Sequence, residues 1–421
     1  MAYFVADTVN ALDLSSFYER YEGDGRRNRP YHPAMMVKVL IYAYATGVFS
    51  SRKIAKKLEE DVAFKMLAGG NLPAHRTICD FRHDHLLELS LLFVQVVELA
   101  REAGLVKLGT VALDGSKVKA NASRHKAMSY SRMKQEEARL KSEIDKLLDR
   151  AEAQDRIEDE RYGLDVRGDE LPKELARREE RLKTIQAAKK RLEERQAKAD
   201  HDKGRHEGDG NKSAKGGGRF ARDFGQPEDK AQENFTDSES RIMKLGNAFE
   251  QCYNAQIAVD ADNQIIVALS LSNNAADVRE LKPLMDATEQ VTGKLPEKLL
   301  ADAGYLSKDN LDHLEQQGID AYIALGREGK DSTKPSSHEA TNRMREKLES
   351  DDGRRLYALR KSIPEPVFGW VKHVLGFRQF NLRGLAKTTC EWALVCLAVN
   401  VRRMNTLRHG AAATSHAPAA S

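Results

Sequence analysis

Cysteine is scarce in this 421-residue sequence, and no two cysteines have the spacing of a zinc site. Only Cys79, Cys252, Cys390 and Cys396 are present, too few and too scattered for a disulfide framework. This scarcity excludes a single small domain held together by disulfides or zinc. It also favours a reducing, cytoplasmic setting.

A long apolar run is also missing. The longest apolar stretch, residues 392–401, has half of the ~20 residues that a membrane-spanning helix requires, and it includes Asn400. The N-terminus carries Asp7 and no basic leader. From these features we expect neither secretion nor membrane insertion.

Positive charge is concentrated at one end of the chain. The whole sequence has a net charge of +4, but residues 354–421 contain eleven Lys or Arg against only Glu365 and Glu391. This end therefore carries +9 and the remainder −5. Such an asymmetry predicts that a polyanion binds near the C-terminal end.

Residues 1–108 are predicted to form an all-α N-terminal domain. Short apolar segments separated by tight joints are typical of a helix-turn-helix. One predicted helix, residues 51–58, carries a basic face that fits a DNA groove and consists of Arg52, Lys53, Lys56 and Lys57. A face of this kind is more often simply solvated, so the alternative stays open.

Two predicted strands end in an acidic residue. Residues 110–113 form a β-branched and apolar run that stops at Asp114-Gly115, and residues 298–301 stop at Asp302. Between them, residues 253–271 predict a β-hairpin around a turn rich in Asp and Asn. Two acids at strand ends would present oxygen ligands for Mg²⁺ at one edge of a sheet. Taken singly, each acid is as well explained by an ordinary turn.

A segment of different composition separates the first strand from the hairpin. Residues 127–200 mix Lys, Arg and Glu with periodic Leu and Ile, which predicts two long helices folded back on each other. Residues 201–233 are predicted to be a flexible linker, because seven glycines fall within 201–225. Residues 406–421 are predicted to be a disordered tail.

A third acidic element follows near the basic end, in the pattern Tyr357-x2-Arg360-x4-Glu365-x6-Lys372. Glu365 and Lys372 are two α-helical turns apart and so share one face of a helix. Pro366 belongs in a first helical turn, which puts Glu365 at the helix start. There the helix dipole favours the ionised carboxylate.

The order of these elements matches a ribonuclease H-like fold, and the sequence resembles a DDE transposase of a bacterial insertion sequence. The resemblance is carried by TVALDGSKVKANAS, YNAQIAVDADNQIIVALSLSNNAADVRELKPL, LLADAGY and EPVFGWVKHVLGFRQFNLRGL, with FSSRKIAKKLEEDVAFKMLAGGNLPAHRTICDFR in the N-terminal part. It implies an α/β core with a mixed five-stranded sheet and flanking helices, built from residues 109–126 and 234–405. The all-α domain and a long helical-hairpin insertion complete the expected architecture.

The resemblance also implies roles for individual residues. Asp114, Asp302 and Glu365 are similar to the family's metal-binding triad, which would hold two Mg²⁺ ions, with Mn²⁺ as an alternative ion. Five further residues would contact DNA: Tyr357, Arg360, Lys372, Arg378 and Arg383. The family's commonest spacing has three residues between the Arg and the Glu, whereas this chain has four, and Lys361 fits the shorter spacing.

The implied function is cleavage at the ends of an insertion sequence and joining of the 3′-OH to target DNA. Double-stranded DNA would be the partner, in the element ends and in the target, and the chain would assemble on it as a homodimer or a larger oligomer. The protein would be cytoplasmic in a bacterium and associated with the nucleoid when active. Two alternatives remain: a catalytically inactive DNA-binding regulator with the same fold, and a structural protein built on the coiled-coil-like segment.

Overall fold

The chain forms two compact units. The computed structural model describes residues 1–19, 21, 30–162, 173–208, 222–326 and 338–415. The first unit comprises residues 1–121 and 242–421, and the second comprises residues 122–241. The predicted helical N-terminal region and the sheet therefore belong to the same unit.

Among the described residues, seven helices precede the first strand, and local signals explain where some of them begin. Pro33 stands in the first turn of its helix, and the Asp61 side chain caps another by accepting a hydrogen bond from the Ala63 N–H at 3.0 Å. The helices are α1 Ala2–Ala11, α2 Ser15–Glu19, α3 Pro33–Ala45, α4 Ser51–Glu60, α5 Val62–Leu67, α6 His75–Asp84 and α7 Leu86–Glu102.

The remaining elements are strands and helices in a mixed order. The strands are β1 Thr110–Lys119, β2 Ala127–Ser129, β3 Gln232–Asn234, β4 Arg241–Leu245, β5 Ala248–Asp260, β6 Ile266–Ser272, β7 Lys298–Ala301 and β8 Asp320–Ile323. The helices are α8 Tyr130–Tyr162, α9 Lys173–Asp202, α10 Leu281–Thr292, α11 Lys308–Gln316, α12 Glu339–Glu349, α13 Asp351–Ser362, α14 Pro364–Gly369 and α15 Leu385–Ser415.

The main sheet is mixed and six-stranded rather than five-stranded as predicted. Its order is β4-β5-β1-β7-β8, with β6 also paired to β5. Strand β1 is antiparallel to β5 and parallel to β7, and β7 is parallel to β8. The additional strand is β4, which the sequence analysis did not predict.

Strand β1 is longer than the sequence predicted. Asp114 was expected at its exit, but pairing with β5 continues without a break from Val111 to Lys119. Asp114 pairs with Ile257, and Gly115 pairs with Gln256 instead of forming a turn. The prediction was wrong because a Gly inside a strand also occurs where another group approaches the backbone closely.

The apolar run at residues 392–401 forms the buried centre of α15. This helix packs along α7, α3 and β6. Within it, Asn400 is fully buried and pairs with both backbone groups of Ile266: its amide donates to the carbonyl at 2.8 Å, and its Oδ1 accepts from the N–H at 2.9 Å. Among the described residues, no helix is long and apolar enough to span a bilayer.

The helix that begins near Glu365 is interrupted before the C-terminal helix. Helix α14 passes into a π-helical segment at Trp370–Val374, and α15 begins only at Leu385. Gly376 and Gly384 have positive φ values of 74° and 83°, which allow the intervening turns. Helix α15 continues to Ser415 through part of the expected tail, and residues 416–421 lie outside the described residues.

In the second unit, α8 and α9 pack against each other in antiparallel orientation. Glu137 and Lys189 form an ion pair at 3.0 Å, and Glu143 and Arg178 form another at 3.0 Å. Between the helices lies an apolar cluster that includes Met133, Leu140, Ile185, Ala188 and Leu192. The pairing of α8 with α9 agrees with the predicted pair of long helices.

Part of the segment predicted as a linker is hydrogen-bonded. Asp200 is buried and accepts from Arg205 at 3.3 Å and from the Gly225 N–H at 3.0 Å. Strand β3 pairs with β2 through the Met128 and Glu233 register. Residues 209–221, which carry four of the seven glycines, lie outside the described residues.

We expect Asn400→Leu to lower the free energy of unfolding by about 2–4 kcal/mol, because it leaves a buried N–H and a buried C=O without partners. Asn405→Leu is a matched control on the same helix, since the Asn405 Oδ1 is buried without a hydrogen-bond partner among the described residues. Thermal unfolding of both variants checks this. An equal loss in the two variants would contradict it.

Candidate active site

Two neighbouring parallel strands bring Asp114 and Asp302 to the same level of the sheet. The register pairs Val111 with Leu299 and Ala112 with Leu300. Asp114 is two residues after Ala112, and Asp302 is two residues after Leu300. The acids therefore lie side by side, although 188 positions separate them in the sequence. The register thus puts the two acids on neighbouring strands; that they share a metal stays a prediction.

Each of the two acids is held by a backbone N–H that follows it. Asp114 Oδ1 accepts from the Gly115 N–H at 2.9 Å, and Asp302 Oδ1 accepts from the Gly304 N–H at 2.8 Å. Asp302 thereby caps a short 3₁₀ turn, Ala303–Tyr305. These bonds fix the orientation of both side chains.

The surroundings of Asp114 disfavour its charge. The pKa of its carboxyl is raised from 3.8 to about 6, mainly by burial. The negative charges of Asp302 and Glu365 also raise this pKa, whereas the Gly115 N–H and Arg360 lower it. Asp114 therefore interacts electrostatically with both of the other predicted acids. That the three acids form one metal site stays a prediction.

Glu365 stands in the first turn of α14, as predicted from Pro366. Its side chain is 51% exposed, and its Oε1 lies 3.7 Å from an Arg360 guanidinium nitrogen. Arg360 itself, near the end of α13, is only 11% exposed. A buried guanidinium thus provides positive charge beside Glu365 and Asp114.

Lys372 lies in the π-helical segment and points to β1. Its ammonium group donates to the Ser116 hydroxyl and to the Lys117 carbonyl, the latter at 3.3 Å. Burial lowers the pKa of Lys372, and the nearby charge of Asp114 acts in the opposite sense. The turns of a π-helix differ from those of an α-helix. The prediction that Glu365 and Lys372 share one face assumed a regular α-helix, and the segment between them is not one.

The other predicted DNA-binding residues near the C-terminus lie on α13 and between the π-helical segment and α15. Tyr357 lies on α13 and is partly exposed. Arg378 and Arg383 are exposed; the first donates to the Lys372 carbonyl at 3.0 Å and the second to the Asn121 carbonyl at 3.0 Å. Both arginines are therefore held by backbone groups.

The structure does not bring the basic face of α4 to the three acids. Helix α4 packs against α5 and α6. Lys56 pairs with Glu60 at 3.4 Å and Lys57 with Asp61 at 3.6 Å. Arg52 and Lys53 are exposed, and no carboxylate pairs with either of them within the described ranges.

The sequence analysis missed a polar cluster on the other face of β1. Asp277 Oδ1 accepts hydrogen bonds from Asn254 at 2.7 Å and from Gln256 at 2.6 Å, and Lys117 lies 3.0 Å away. Asn254 and Gln256 are fully buried. Their alternation within the apolar segment YNAQIAV was a usable signal, because buried polar side chains need partners.

The carboxylate chemistry of the three acids fits a hard divalent cation, which takes oxygen ligands. The raised pKa of Asp114 also favours a bound cation, because a cation would relieve the repulsion among the acids. Among the described residues, however, no three His, Cys, Asp or Glu side chains are gathered closely enough to hold a metal ion. The acids would have to move closer together to share one.

We expect Asp114→Asn to stabilise the protein near neutral pH, by about 1–3 kcal/mol. The raised pKa means that the folded chain binds the proton more tightly than the unfolded chain, so this carboxyl costs stability as the pH rises from about 4 through about 6. Melting temperatures of both proteins, without added metal, at about pH 7.5 and about pH 5 test this. The gain should shrink at the lower pH; an unchanged or lower melting temperature at the higher pH would contradict it.

Two transposase families match parts of the chain. The Transposase DDE domain matches residues 221–401, which include Asp302 and Glu365 but begin after Asp114. The Transposase domain (DUF772) matches residues 2–84, which include α4. No curated protein sequence matches the chain. The mixed sheet, its flanking helices and the helical N-terminal region fit a ribonuclease H-like DDE core, and both matches are consistent with a DDE transposase of an insertion sequence.

Proposed function

We propose that the protein is a Mg²⁺-dependent DNA transposase that cuts at the ends of an insertion sequence and joins the 3′-OH to target DNA. The observation that carries this proposal is the register of β1 and β7, which sets Asp114 beside Asp302, within electrostatic reach of Glu365. The fold assigned to the core is ribonuclease H-like, with α8 and α9 as a hairpin inserted after its first strand.

Asp114, Asp302 and Glu365 would hold the metal. DDE transposases generally use divalent ions, and two Mg²⁺, or Mn²⁺ in their place, would activate the attacking oxygen and stabilise the leaving oxygen. The protein's own part is to orient the carboxylates. The Gly115 and Gly304 N–H groups hold two of them in position.

One site is sufficient for both steps. Hydrolysis uses water as the attacking group and frees a 3′-OH, and strand transfer then uses that 3′-OH on a target phosphodiester. The two reactions differ only in which oxygen attacks in line with the leaving oxygen. We assign Arg360 and Lys372 to the positive charge around the scissile phosphate, with Tyr357 beside the cleaved strand.

Double-stranded DNA is the proposed partner, in the element ends and in the target. Arg378 and Arg383 would contact its phosphates, and the basic face of α4 would bind the end sequence. We further propose that a homodimer or larger oligomer assembles on DNA, and that α8 and α9 contact DNA or a second protomer. Deletion of α8 and α9 with unchanged oligomeric state, end binding and strand transfer would exclude that last role.

A catalytically inactive DNA-binding regulator is the alternative, and it is not favoured. Such a protein does not need all three acids, and this chain retains them. Incubation with supercoiled plasmid carrying candidate element ends, with and without Mg²⁺, separates the two functions. Metal-dependent nicking supports the transposase, and sequence-specific binding without nicking supports the regulator.

We expect Asp114→Asn, Asp302→Asn and Glu365→Gln each to lower the rate of DNA cleavage by at least about 1,000-fold. Each substitution removes a negative charge that would balance the positive charge of the metal. Binding of end DNA should change little. Asp309→Asn, an exposed acid in the first turn of α11, is the matched control and should cleave normally. Normal metal-dependent cleavage by Asp302→Asn would show that Asp302 does not belong to the site.

We expect Arg52→Ala combined with Lys53→Ala to lower the salt dependence of end binding by up to about two units of log–log slope. These two side chains are exposed, and no carboxylate pairs with them among the described residues. Lys282→Ala, an exposed lysine on α10 that is not assigned to DNA binding, is the control and should leave the slope unchanged. Gel-shift titrations at several salt concentrations measure the slope; an unchanged slope in the double variant would place DNA binding elsewhere.

A further inference from the structure

Asp277 lies between the two glycines that follow the acids of β1 and β7. It begins the short 3₁₀ turn Asp277–Arg279, between β6 and α10. A Cβ atom added to Gly115 would first meet the Gln256 side-chain amide and then Asp277 Oδ1 at 3.0 Å. One added to Gly304 would meet Asp302 Oδ1 at 2.9 Å and Asp277 Oδ2 at 3.2 Å. One carboxylate therefore lies against the backbone at both positions, directly after Asp114 and two residues after Asp302.

Three donors converge on one oxygen of this carboxylate. Lys117 Nζ lies 3.0 Å from Asp277 Oδ1, Asn254 Nδ2 lies 2.7 Å away and Gln256 Nε2 lies 2.6 Å away. The strand register pairs Lys117 with Asn254 and Gly115 with Gln256, so these residues share one face of the sheet. Asp277 thereby connects β1 and β5 from the side opposite to that on which Lys372 contacts Ser116.

The same network reaches the turn that carries Asp302. The buried Tyr305 hydroxyl donates to Gln256 Oε1, and Gln256 donates in turn to Asp277. Tyr305 is the last residue of the 3₁₀ turn capped by Asp302. A continuous chain of hydrogen bonds therefore runs from the Asp302 turn through Gln256 and Asp277 to Lys117 on β1.

We propose that Asp277 is a positioning residue that sets the distance between Asp114 and Asp302 for phosphoryl transfer. It does not touch the reacting atoms; it holds the backbone beside each of the two acids. A charged carboxylate suits this role, because its bond to the Lys117 ammonium is stronger than a neutral hydrogen bond and balances a partly buried charge. The proposal rests on the proposed transposase function.

The test compares Asp277→Asn, Lys117→Gln and the double variant with the wild-type full-length protein. Each single substitution keeps the approximate shape but leaves one unbalanced charge, whereas the double variant replaces the ion pair with a neutral pair. Asp286→Asn, on the exposed face of α10, is the matched control. Cleavage rate, affinity for end DNA, melting temperature and amide hydrogen exchange around Gly304 are measured for each protein.

We expect each single variant to lose about 10–100-fold in cleavage rate, while the affinity for end DNA stays within about twofold. Exchange at the Gly304 amide should become faster, and the double variant should recover part of the lost rate. The control should match the wild type in every measurement. A purely structural residue would lower the melting temperature and DNA affinity together, without recovery in the double variant.

Three results would overturn the proposal: wild-type cleavage by Asp277→Asn, single-variant losses that simply multiply in the double variant, or unchanged exchange at Gly304. If Asp277→Asn fails to fold, Lys117→Gln decides, since it breaks the same ion pair from the other side. If the wild-type protein itself does not cut DNA, the proposed function fails, and the exchange at Gly304 still decides whether Asp277 holds the Asp302 turn.

Discussion

The parallel pairing of β1 with β7 is the constraint on which the candidate site depends. Its register brings Asp114 and Asp302 to the same level of the sheet, although the two residues are far apart in the sequence. A shift by one residue would turn one of the two side chains to the other face of the sheet. Buried apolar residues before each acid, such as Leu113 and Ala301, therefore determine where the carboxylates lie.

That register has an electrostatic cost. Burial and the neighbouring acids raise the pKa of Asp114, so the folded chain holds a carboxylate under conditions that disfavour its charge. Arg360 offsets part of this repulsion, and Lys372 adds a second positive charge from the π-helical segment. A bound cation would offset this repulsion, whereas the protein alone carries its cost in stability, which is the usual trade between function and stability.

Sequence patterns predicted the elements whose signals are local. Strand β7 ends one residue before Asp302, and Pro366 placed Glu365 in a first helical turn, because both features depend on a few neighbouring residues. The position of Asp114 within its strand could not be predicted in the same way. Gly115 has the same sequence signature in a turn and in a strand, and only its pairing with Gln256 distinguishes the two.

Features that depend on distant contacts escaped prediction. The π-helical turn at Lys372 accompanies the contact of its ammonium with Ser116, and no local pattern encodes that contact. Asp277 was overlooked because its partners, Lys117, Asn254 and Gln256, come from two other strands. Strand β4 is a short extension of the sheet beside β5, and its sequence RIMKL has little β-propensity of its own.

The central claim is that Asp114, Asp302 and Glu365 form one metal-binding site for phosphoryl transfer. Anomalous scattering from Mn²⁺ in crystals of the protein bound to element-end DNA tests it most directly. We predict a metal peak at ~2.0–2.3 Å from oxygens of both Asp114 and Asp302, next to a DNA phosphate, with Glu365 released from Arg360. Ordered DNA and well-defined carboxylates with no metal between Asp114 and Asp302 would contradict the claim.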